Sequence, residues 1–488
     1  MLLTPIYTND TITAFLDEIG NEEDNVKRAV SDFLDTWIAG PNRKPLVMRG
    51  ARQVGKTWLV RALAQRHGRQ LVEINLERRP ELADHFRDND CSRSIADLEA
   101  DLGVTIRPDS SLLFLDEVQA APRLLAFLRW FHEDMPELPV VTAGSLLDFA
   151  LRDHNFSMPV GRIAYCHVEP VTFYEYLDAT GNDKLRAALA TAAESNDLSP
   201  RLHQKALDRF AQYCLVGGLP EVVDNWIKNQ SSERRLQLQR DLIATYRDDF
   251  NKYRNRVPVE LLRRTMDAVP QQLGARFVYG HVDADVRHRD TKRALELLTL
   301  ARVCHRIDHT AANGLPLGAE TNPRLFKAIL VDIGLTSVQM GLSTLEMRDL
   351  DRVVWANKGG LAEQFVGQHL RCLFRPFEDP QLFYWQRTEG RQGEIDYIIQ
   401  QGSLIVPIEV KAGAAGSMKS LHAFMHGKQL PLAVRFDTNV PSVQDLDVQT
   451  TTGDRAKYKL LSLPLYMVES LPAAVQRALA ERGRHAHS

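Results

Sequence analysis

Cysteine is scarce in this sequence of 488 residues. It has five cysteines, which are scattered along the chain, and none of them forms a C-x-x-C pair. Disulfide frameworks and cysteine-based zinc sites need paired or closely spaced cysteines. The sequence therefore indicates neither kind of scaffold, and a reducing cytoplasm is the simplest location to expect.

Long apolar runs and a strong net charge are also missing. No apolar stretch approaches the roughly 18 residues that cross a membrane, and the first residues lack the basic and apolar regions of a signal peptide. We therefore expect no membrane contact. The net charge is −3, so any DNA contact would need a local basic patch. The length predicts about three domains.

The segment at residues 45–57 is the most informative one. It reads Pro-Leu-Val-Met-Arg-Gly-Ala-Arg-Gln-Val-Gly-Lys-Thr, an apolar run followed by G-x-x-x-x-G-K-T and then a helical pattern. Strand, glycine loop and helix in this order are the context of a phosphate-binding loop. The glycines let successive N–H groups face one anion, and the helix N-terminus adds partial positive charge. The segment therefore predicts nucleotide binding.

Each residue of this loop receives an expected role. Lys56 would contact the β- and γ-phosphates of ATP, and Thr57 would supply a hydroxyl to Mg²⁺. Asp116 is expected to complete the magnesium shell through water. The residues expected to bind the nucleotide are Gly50, Ala51, Arg52, Gln53, Val54, Gly55, Lys56, Thr57, Trp58, Asp116 and Ser145.

Two further apolar runs end in polar residues. Ser111–Glu117 predicts a buried strand that ends in two carboxylates, and ligands of open α/β sheets bind at the carboxyl ends of strands. Glu117 would then polarise the attacking water. Leu138–Ser145 predicts another core strand, whose Thr142 or Ser145 could sense the γ-phosphate. Ser145 could equally cap the helix that follows.

Four motifs together carry a family resemblance. GARQVGKT, LLFLDEVQ, VVTAGSLL and VGRIAYCHVEPVTFYEYL resemble a prokaryotic AAA-type (AAA+) ATPase family that has a C-terminal region of unknown function. The resemblance extends from about residue 25 to about residue 435 and implies ATP hydrolysis. Arg162 matches the Gly-Arg of the family, which makes it the candidate γ-phosphate arginine. It would act in its own chain or from a neighbouring copy in a homo-oligomer, or be a surface arginine.

The same resemblance covers two segments that we expect to be structural. Gly217–Pro220 matches the Gly-Gly-x-Pro turn of the family, and Tyr246–Tyr253 matches a second family segment. The glycines would end one helix and the proline would begin the next. This chain has Thr-Ala-Gly-Ser where the family has Thr-Gly-Ser, which leaves open which hydroxyl does the sensing.

The expected fold class is α/β with a helical middle. We expect an N-terminal helical segment at 1–40, a P-loop AAA-type ATPase domain at 41–180, a helical and winged-helix domain at 181–345, and an α/β restriction-endonuclease-like domain at 346–488. The winged helix would comprise the helix Thr291–Leu300 and the strands Val303–Ile307 and Leu325–Val331. Its small basic surplus leaves DNA contact open against a purely connecting role.

A second set of charged residues lies near the C-terminus. Glu363 lies on a predicted helix, Asp396 on a strand, and Glu409 and Lys411 on the return strand of a hairpin. This pattern resembles the PD-(D/E)xK nuclease core. Asp396 and Glu409, with Glu363 as a further ligand, would hold Mg²⁺, and Lys411 would orient or deprotonate a water. An ordinary hairpin with an exposed carboxylate–lysine pair is the alternative.

These patterns lead to one primary expectation and leave the rest open. The chain is expected to be an ATP hydrolase that uses Mg²⁺ and has DNA as its partner. The C-terminal domain could cut DNA under control of ATP, or only bind DNA or a protein, because a fold does not imply its function. We also expect a polar loop at 437–457 and a terminal helix at Ala473–Arg482.

Overall fold

A computed structural model describes most of the chain. The described residues are 27–144, 147, 159, 161–342, 359–387, 393–411 and 418–485, without the side chains of 481–485. Helix α1 (Val30–Ala39) lies within the helical segment expected at 1–40. The part of that segment before residue 27 and the predicted sensor Ser145 lie outside the described residues.

The first sheet is parallel and has five strands in the order β2-β3-β4-β1-β5. The predicted core strands are confirmed, because their apolar runs need burial on both faces. The strands are β1 (Leu46–Arg49), β2 (Gln70–Asn75), β3 (Ser111–Asp116), β4 (Val140–Ala143) and β5 (Ala164–His167). The helices that flank them after α1 are α2 (Lys56–Arg66), α3 (Cys91–Leu102) and α4 (Arg123–Asp134).

Alternating side chains of the strands build two cores, one on each face of this sheet. On β3, Leu112 and Phe114 pack into the core that contains α1 and α2, whereas Leu113 and Leu115 pack into the core that contains α3 and α4. Successive residues of a strand point to opposite faces, so a continuous apolar run serves both cores. This arrangement places the carboxyl ends of β1 and β3 at the same end of the sheet, with β4 between them.

Helices fill the middle of the chain. A Thr172–Glu175 capping box begins the first of them, and Gly217 and Gly218 separate the third from the fourth. The helices are α5 (Phe173–Ala179), α6 (Asp183–Ser195), α7 (Pro200–Val216), α8 (Pro220–Asn229), α9 (Ser232–Asp249), α10 (Val259–Gln271), α11 (His288–Leu300) and α12 (Ile333–Gln339).

The second sheet has eight strands in the order β12-β13-β11-β10-β9-β8-β6-β7. Its strands are β6 (Cys304–Thr310), β7 (Thr321–Leu330), β8 (Leu382–Gln386), β9 (Glu394–Gln401), β10 (Leu404–Val410), β11 (Leu432–Asp437), β12 (Ser442–Gln449) and β13 (Arg455–Pro464). The accompanying helices are α13 (Gly359–Cys372), α14 (Lys419–Lys428) and α15 (Leu471–His485).

The expected winged helix needs correction. Helix α11 and the antiparallel strands β6 and β7 are present near their predicted positions, but β6 also pairs in parallel with β8. The strands expected to form a wing are thus the outer part of the C-terminal sheet. A domain boundary at residue 345 would divide this sheet. Strand β6 is mostly buried, so it needs a partner on each side.

The prediction of a polar loop at 437–457 is also wrong. Strand β12 occupies much of this segment and pairs antiparallel with β13 at the edge of the sheet. An edge strand can expose many polar side chains, so its sequence lacks the apolar pattern of a core strand. The terminal helix is confirmed and is longer than expected. No helix within the described ranges is long and apolar enough to cross a membrane.

Candidate nucleotide site and C-terminal carboxylate cluster

The phosphate loop, Gly50–Thr57, connects β1 directly to α2. Gly55 has a φ of 95°, which lies in the left-handed region that glycine adopts without steric cost. A Cβ on Gly50 would overlap the carbonyl oxygen of Val168. The glycines at these two positions therefore let the backbone curve tightly at the carboxyl end of β1. Gln53 also lies in the left-handed region, with a φ of 63°.

Lys56 lies inside this loop. Its ammonium group donates hydrogen bonds to the carbonyl oxygens of Gly50 at 3.0 Å and Ala51 at 2.7 Å. Burial lowers the pKa of Lys56 to about 8, while the negative charges of Glu117 and Asp116 oppose that change. A phosphate placed in the loop would be close to a cation that the loop already holds in position.

Thr57 and Asp116 form the oxygen pair expected of a magnesium site. The Thr57 hydroxyl donates a hydrogen bond to Oδ2 of Asp116 at 3.2 Å, and Oδ1 of Asp116 accepts one from the Glu117 N–H at 3.0 Å. Burial raises the pKa of Asp116 to about 6. Mg²⁺ prefers such hard oxygen ligands together with phosphate oxygens and water. The residues present therefore fit Mg²⁺ bound with a nucleotide.

Glu117 has an uncommon backbone conformation for a residue with a side chain. Its φ is 53° and its ψ is 44°, and its carboxylate accepts a hydrogen bond from the Gln119 amide. Such strained residues gather at functional sites. Thr142 lies nearby on β4, fully buried, and among the described residues its hydroxyl has no hydrogen-bond partner. It is therefore available to a ligand oxygen.

The remaining residues of the predicted site lie on the loop or its helix. Val54 and Ala51 are buried in the core beneath the loop, whereas Trp58 on α2 is 37% exposed. Arg52 forms an ion pair with Asp249, the last residue of α9, at 2.8 Å. The Trp58 ring thus remains accessible beside the loop, and Arg52 is already held by another element.

Arg162 is far from the phosphate loop of its own chain. It precedes β5 at the amino end of the sheet, where Ala164 donates a backbone hydrogen bond to Pro45. The loop follows the opposite end of β1, about 13 Å away along four residues of strand. The Arg162 guanidinium instead contacts Glu133 at 2.8 Å. This position corrects the expectation of a role in its own chain and leaves two alternatives, a role from a neighbouring copy and that of a surface arginine.

Three residues that contact the loop were missed in the sequence. The Tyr246 hydroxyl donates to the carbonyl oxygen of Arg52 at 2.7 Å, and Asp249 binds the Arg52 guanidinium. Arg28 donates to the Val54 carbonyl oxygen at 3.3 Å. The motif Tyr246–Tyr253 carried the signal, since it places an aspartate pair at the end of an amphipathic helix. It was interpreted as structural only.

The Gly-Gly-Leu-Pro turn also packs against the loop. The Gly218 N–H donates to Oδ2 of Asp332 at 2.6 Å, and its carbonyl oxygen accepts from the Val171 N–H at 2.7 Å. Pro220 lies 3.4 Å from where a Cβ on Gly55 would be. A Cβ on Gly218 would overlap the Val171 carbonyl oxygen, so the turn requires glycine there.

The hairpin expected near the C-terminus is confirmed. Strands β9 and β10 pair antiparallel, and the register of Ile408 with Tyr397 brings Glu409 opposite Asp396. Oδ2 of Asp396 accepts a hydrogen bond from the Val410 N–H at 2.7 Å. Glu409 and Lys411 form an ion pair, as the alternation of the strand predicts.

A lysine that was not predicted lies among these carboxylates. Lys327 extends from β7 with a side chain only 2% exposed, and its ammonium lies 2.9 Å from Glu363, 3.6 Å from Asp396 and in contact with Glu394. Burial would lower the pKa of Lys327, but the carboxylates hold it well above its usual value. An ammonium group thus occupies the centre of the carboxylate cluster, defined as Glu363, Glu394 and Asp396.

This arrangement does not fit the predicted metal site. In the described part of the chain, no group of three or more His, Cys, Asp or Glu residues is placed to hold a metal. Glu363 and Asp396 face Lys327, whereas Glu409 faces Lys411, so the three expected ligands are divided between two ammonium groups. The second oxygen of Glu409 is buried and has no partner among the described residues.

Three family models match separate parts of the chain. Residues 42–177 match a family described as AAA domain, residues 207–346 match the domain of unknown function DUF8612, and residues 358–456 match the domain of unknown function DUF4143. The AAA match coincides with the five-stranded sheet and the phosphate loop. The two other families carry no assigned function.

Individual relatives are similar over limited regions. The replication factor C large subunit of Sulfurisphaera tokodaii is 33% identical over 104 residues, which are 21% of this chain and 22% of that protein. The chain thus matches about a fifth of the length of this curated relative.

Solved structures resemble the chain more weakly. A Walker-type ATPase of Pyrococcus abyssi is 17% identical, with a TM-score of 0.42 over 66% of this chain and 97% of the other. The Aeropyrum pernix Orc1 protein in complex with DNA is 12% identical, with a TM-score of 0.25 over 64% and 90%. The sequence match of residues 42–177 and the geometry of the phosphate loop together support an AAA-type ATPase in this part of the chain.

Proposed function

We propose that the protein is a magnesium-dependent ATP hydrolase of the AAA type that acts as a nucleotide-controlled switch on its C-terminal region. One observation carries the proposal: Lys56, Thr57 and Asp116 converge at the carboxyl ends of β1 and β3, two parallel strands that both pair with β4. An ammonium for phosphate and two oxygens for Mg²⁺ are the groups that phosphoryl transfer from ATP requires.

Each of these groups has a defined task in hydrolysis. The loop N–H groups and Lys56 would bind the phosphates, and Thr57 and Asp116 would hold Mg²⁺, which neutralises the phosphate charge. Glu117 would orient the attacking water from its strained backbone position. The buried hydroxyl of Thr142 would contact the γ-phosphate. Arg162 of a neighbouring copy would add a positive charge.

The contacts of Arg52 offer a route from the nucleotide to the rest of the chain. Asp249 and Tyr246 attach the loop to the end of α9. On the other side, Glu169, two residues beyond β5, pairs with Arg371 of α13 at 2.7 Å. A loop that rearranges when phosphates bind or leave would therefore act on both the helical region and the second sheet.

For the C-terminal region, the contacts favour binding over cleavage. Lys327 already neutralises the carboxylates that a nuclease would use for its metal. DNA is the proposed ligand, since the start of α11 carries exposed basic side chains: Arg287, Arg289, Lys292 and Arg293. An ATP-gated nuclease is the second candidate. It is favoured by the Glu409–Lys411 pair opposite Asp396, but would require Lys327 to withdraw.

ATP turnover by the purified full chain tests the primary proposal. Lys56→Ala removes a charge-assisted contact to phosphate, which contributes about 1.5–3 kcal/mol, so we expect turnover to fall by at least about tenfold. The matched control is Lys228→Ala, because Lys228 is exposed on α8 and contacts only Asp224 among the described residues. Equal turnover in the two variants would refute the assignment of the phosphate loop.

A further inference from the structure

A cavity lies between the ATPase sheet and the C-terminal sheet. It has a volume of about 600 Å³ and is lined by residues from β1, the end of α11, β6, the β6–β7 connection, α13 and β8. Cavities of about 300–1,000 Å³ accommodate small ligands. This cavity is distinct from the phosphate loop, although Arg49 in its wall immediately precedes Gly50.

The wall of this cavity carries a surplus of positive charge. Four arginines line it, and two aspartates oppose them. Arg302 contacts Asp379 at 3.2 Å, and Arg306 contacts Asp308 at 2.8 Å. Arg371 in addition pairs with Glu169, which is outside the lining, so three carboxylates hold four arginines and a surplus of one positive charge remains. Planar guanidinium groups recognise phosphate through paired hydrogen bonds. The arginines are Arg49, Arg302, Arg306 and Arg371.

A histidine in the same wall is buried, and one of its ring nitrogens has no hydrogen-bond partner among the described residues. His305 is 5% exposed, and its Nε2 makes no hydrogen bond to any described residue. A buried polar atom without a partner is costly unless a ligand or water completes it. Arg302, three residues earlier, has a φ of 56°, another strained backbone position of the kind that gathers at functional sites.

The lining also contains apolar side chains. Leu300, Leu382 and Phe383 face the same space as the arginines. Such a surface suits the flat face of a nucleobase, because aromatic side chains stack on bases irrespective of their identity. The cavity therefore combines a phosphate-binding side with a base-binding side.

We propose that this cavity binds a nucleoside phosphate, with Arg306, Arg302 and His305 on the phosphate and Phe383 against the base. The ligand is a free nucleotide or one nucleotide of a single nucleic-acid strand, since both present the same groups. This binding is independent of ATP hydrolysis at the phosphate loop. Because the cavity wall includes Arg49, an occupant would contact the strand that leads into that loop.

Two full-chain variants test this site, both made in the Lys56→Ala background so that the phosphate loop contributes little. Arg306→Ala removes a guanidinium at the cavity wall, and Gly318→Leu fills the cavity without changing its charge. A Cβ on Gly318 would lie 3.7 Å from the Phe383 ring, in ordinary van der Waals contact, so the substitution introduces its side chain beside that ring. The control is Arg324→Ala, an exposed arginine on β7 that does not line the cavity.

Two probes distinguish the sources of the ligand. Calorimetric titration with thymidine monophosphate reports a free nucleotide, and the fluorescence anisotropy of labelled (dT)20 reports a nucleic-acid strand. We expect at least one probe to bind, and both test variants to weaken it by at least about tenfold while Arg324→Ala leaves it unchanged. The probe that responds identifies the source.

The contrary results are equally definite. If neither probe binds the parent chain, or if both variants bind as the control does, the cavity is not a nucleoside-phosphate site. The same substitutions in the chain with intact Lys56 should leave ATP turnover unchanged. Suppose that turnover is lost only in Lys56→Ala, and that Arg306→Ala and Gly318→Leu bind the probe as the control does. This result would support the ATPase proposal and overturn the present one.

Discussion

At the scale of single residues, Glu117 carries the strongest indication of chemistry. It combines a left-handed backbone conformation with a position directly after Asp116, the proposed magnesium ligand. Such a conformation costs about 1–3 kcal/mol and persists only where the surroundings enforce it. The Gln119 amide and the end of β3 hold the carboxylate at the edge where the phosphates are expected.

We predict that a substitution of Glu117 reduces ATP hydrolysis without reducing ATP binding. Glu117→Gln keeps the size and polarity of the side chain but removes the base, so turnover should fall by about two to four orders of magnitude. Affinity for ATP should stay near that of the parent chain. Single-turnover rates and equilibrium binding decide this, with the exposed Glu81→Gln as control. Equal losses of binding and turnover would mean that Glu117 is structural.

The positions of the phosphate-loop residues were easier to predict than the contacts of the C-terminal cluster. Gly50, Lys56 and Thr57 could be located because one strand, loop and helix contain them, and Asp116 because it ends a buried apolar strand of the same sheet. The contact of Lys327 with the carboxylate cluster could not be predicted. This lysine reaches the cluster from β7 and lies 36 residues before Glu363 in the chain. No spacing rule connects such distant residues, and the lysine changes the chemistry of the cluster.

At the scale of elements, the strand β7 determines what the C-terminal hairpin can do. It brings Lys327 into contact with Glu363, Glu394 and Asp396, in surroundings from which water is largely excluded. A buried charge that loses its partner is strongly destabilising, commonly by about 3–5 kcal/mol. The lysine therefore has a structural role that a bound metal would otherwise have.

Replacing this lysine should expose a dormant cation site. Lys327→Met keeps most of the side-chain volume, and we expect a loss of about 3–5 kcal/mol in the free energy of unfolding in EDTA. Mn²⁺ should restore part of that stability in the variant and leave the parent chain unchanged, because only the variant has uncompensated carboxylates. Denaturant unfolding with and without Mn²⁺ measures both effects, and Lys457→Met on β13 is an exposed control. Equal stability of parent and variant would contradict this role.

Elements were predictable where their pattern was local and strong. The apolar strands of the first sheet and the β9–β10 hairpin were located correctly, because burial and turn residues mark them in the sequence. Strand β12 was missed because an edge strand may be polar on much of its surface. The assignment of β6 and β7 to a separate winged helix failed because the pairing of β6 with β8 joins residues about 75 positions apart, a contact that periodicity cannot show.

At the scale of the whole molecule, residues at the end of β5 connect the ATPase sheet to the C-terminal region. The pair of Glu169 with Arg371, and the hydrogen bond from the His167 N–H to Pro376 at 2.6 Å, link the carboxyl end of β5 to the segment after α13. The ion pair of Arg52 with Asp249 links the loop to the helical region. The phosphate loop thus contacts the helical region, and the end of β5 contacts the C-terminal region.

The most direct test of this view is one reaction that follows ATP and DNA together. Purified full chain is incubated with Mg²⁺, ATP and end-labelled single- and double-stranded DNA, and phosphate release and DNA length are measured in the same samples. We expect phosphate release that depends on Lys56, and DNA that stays intact with ATP, with ADP and with the Glu117→Gln variant. Absence of ATP hydrolysis, or DNA fragments that disappear in Lys411→Ala, would contradict it.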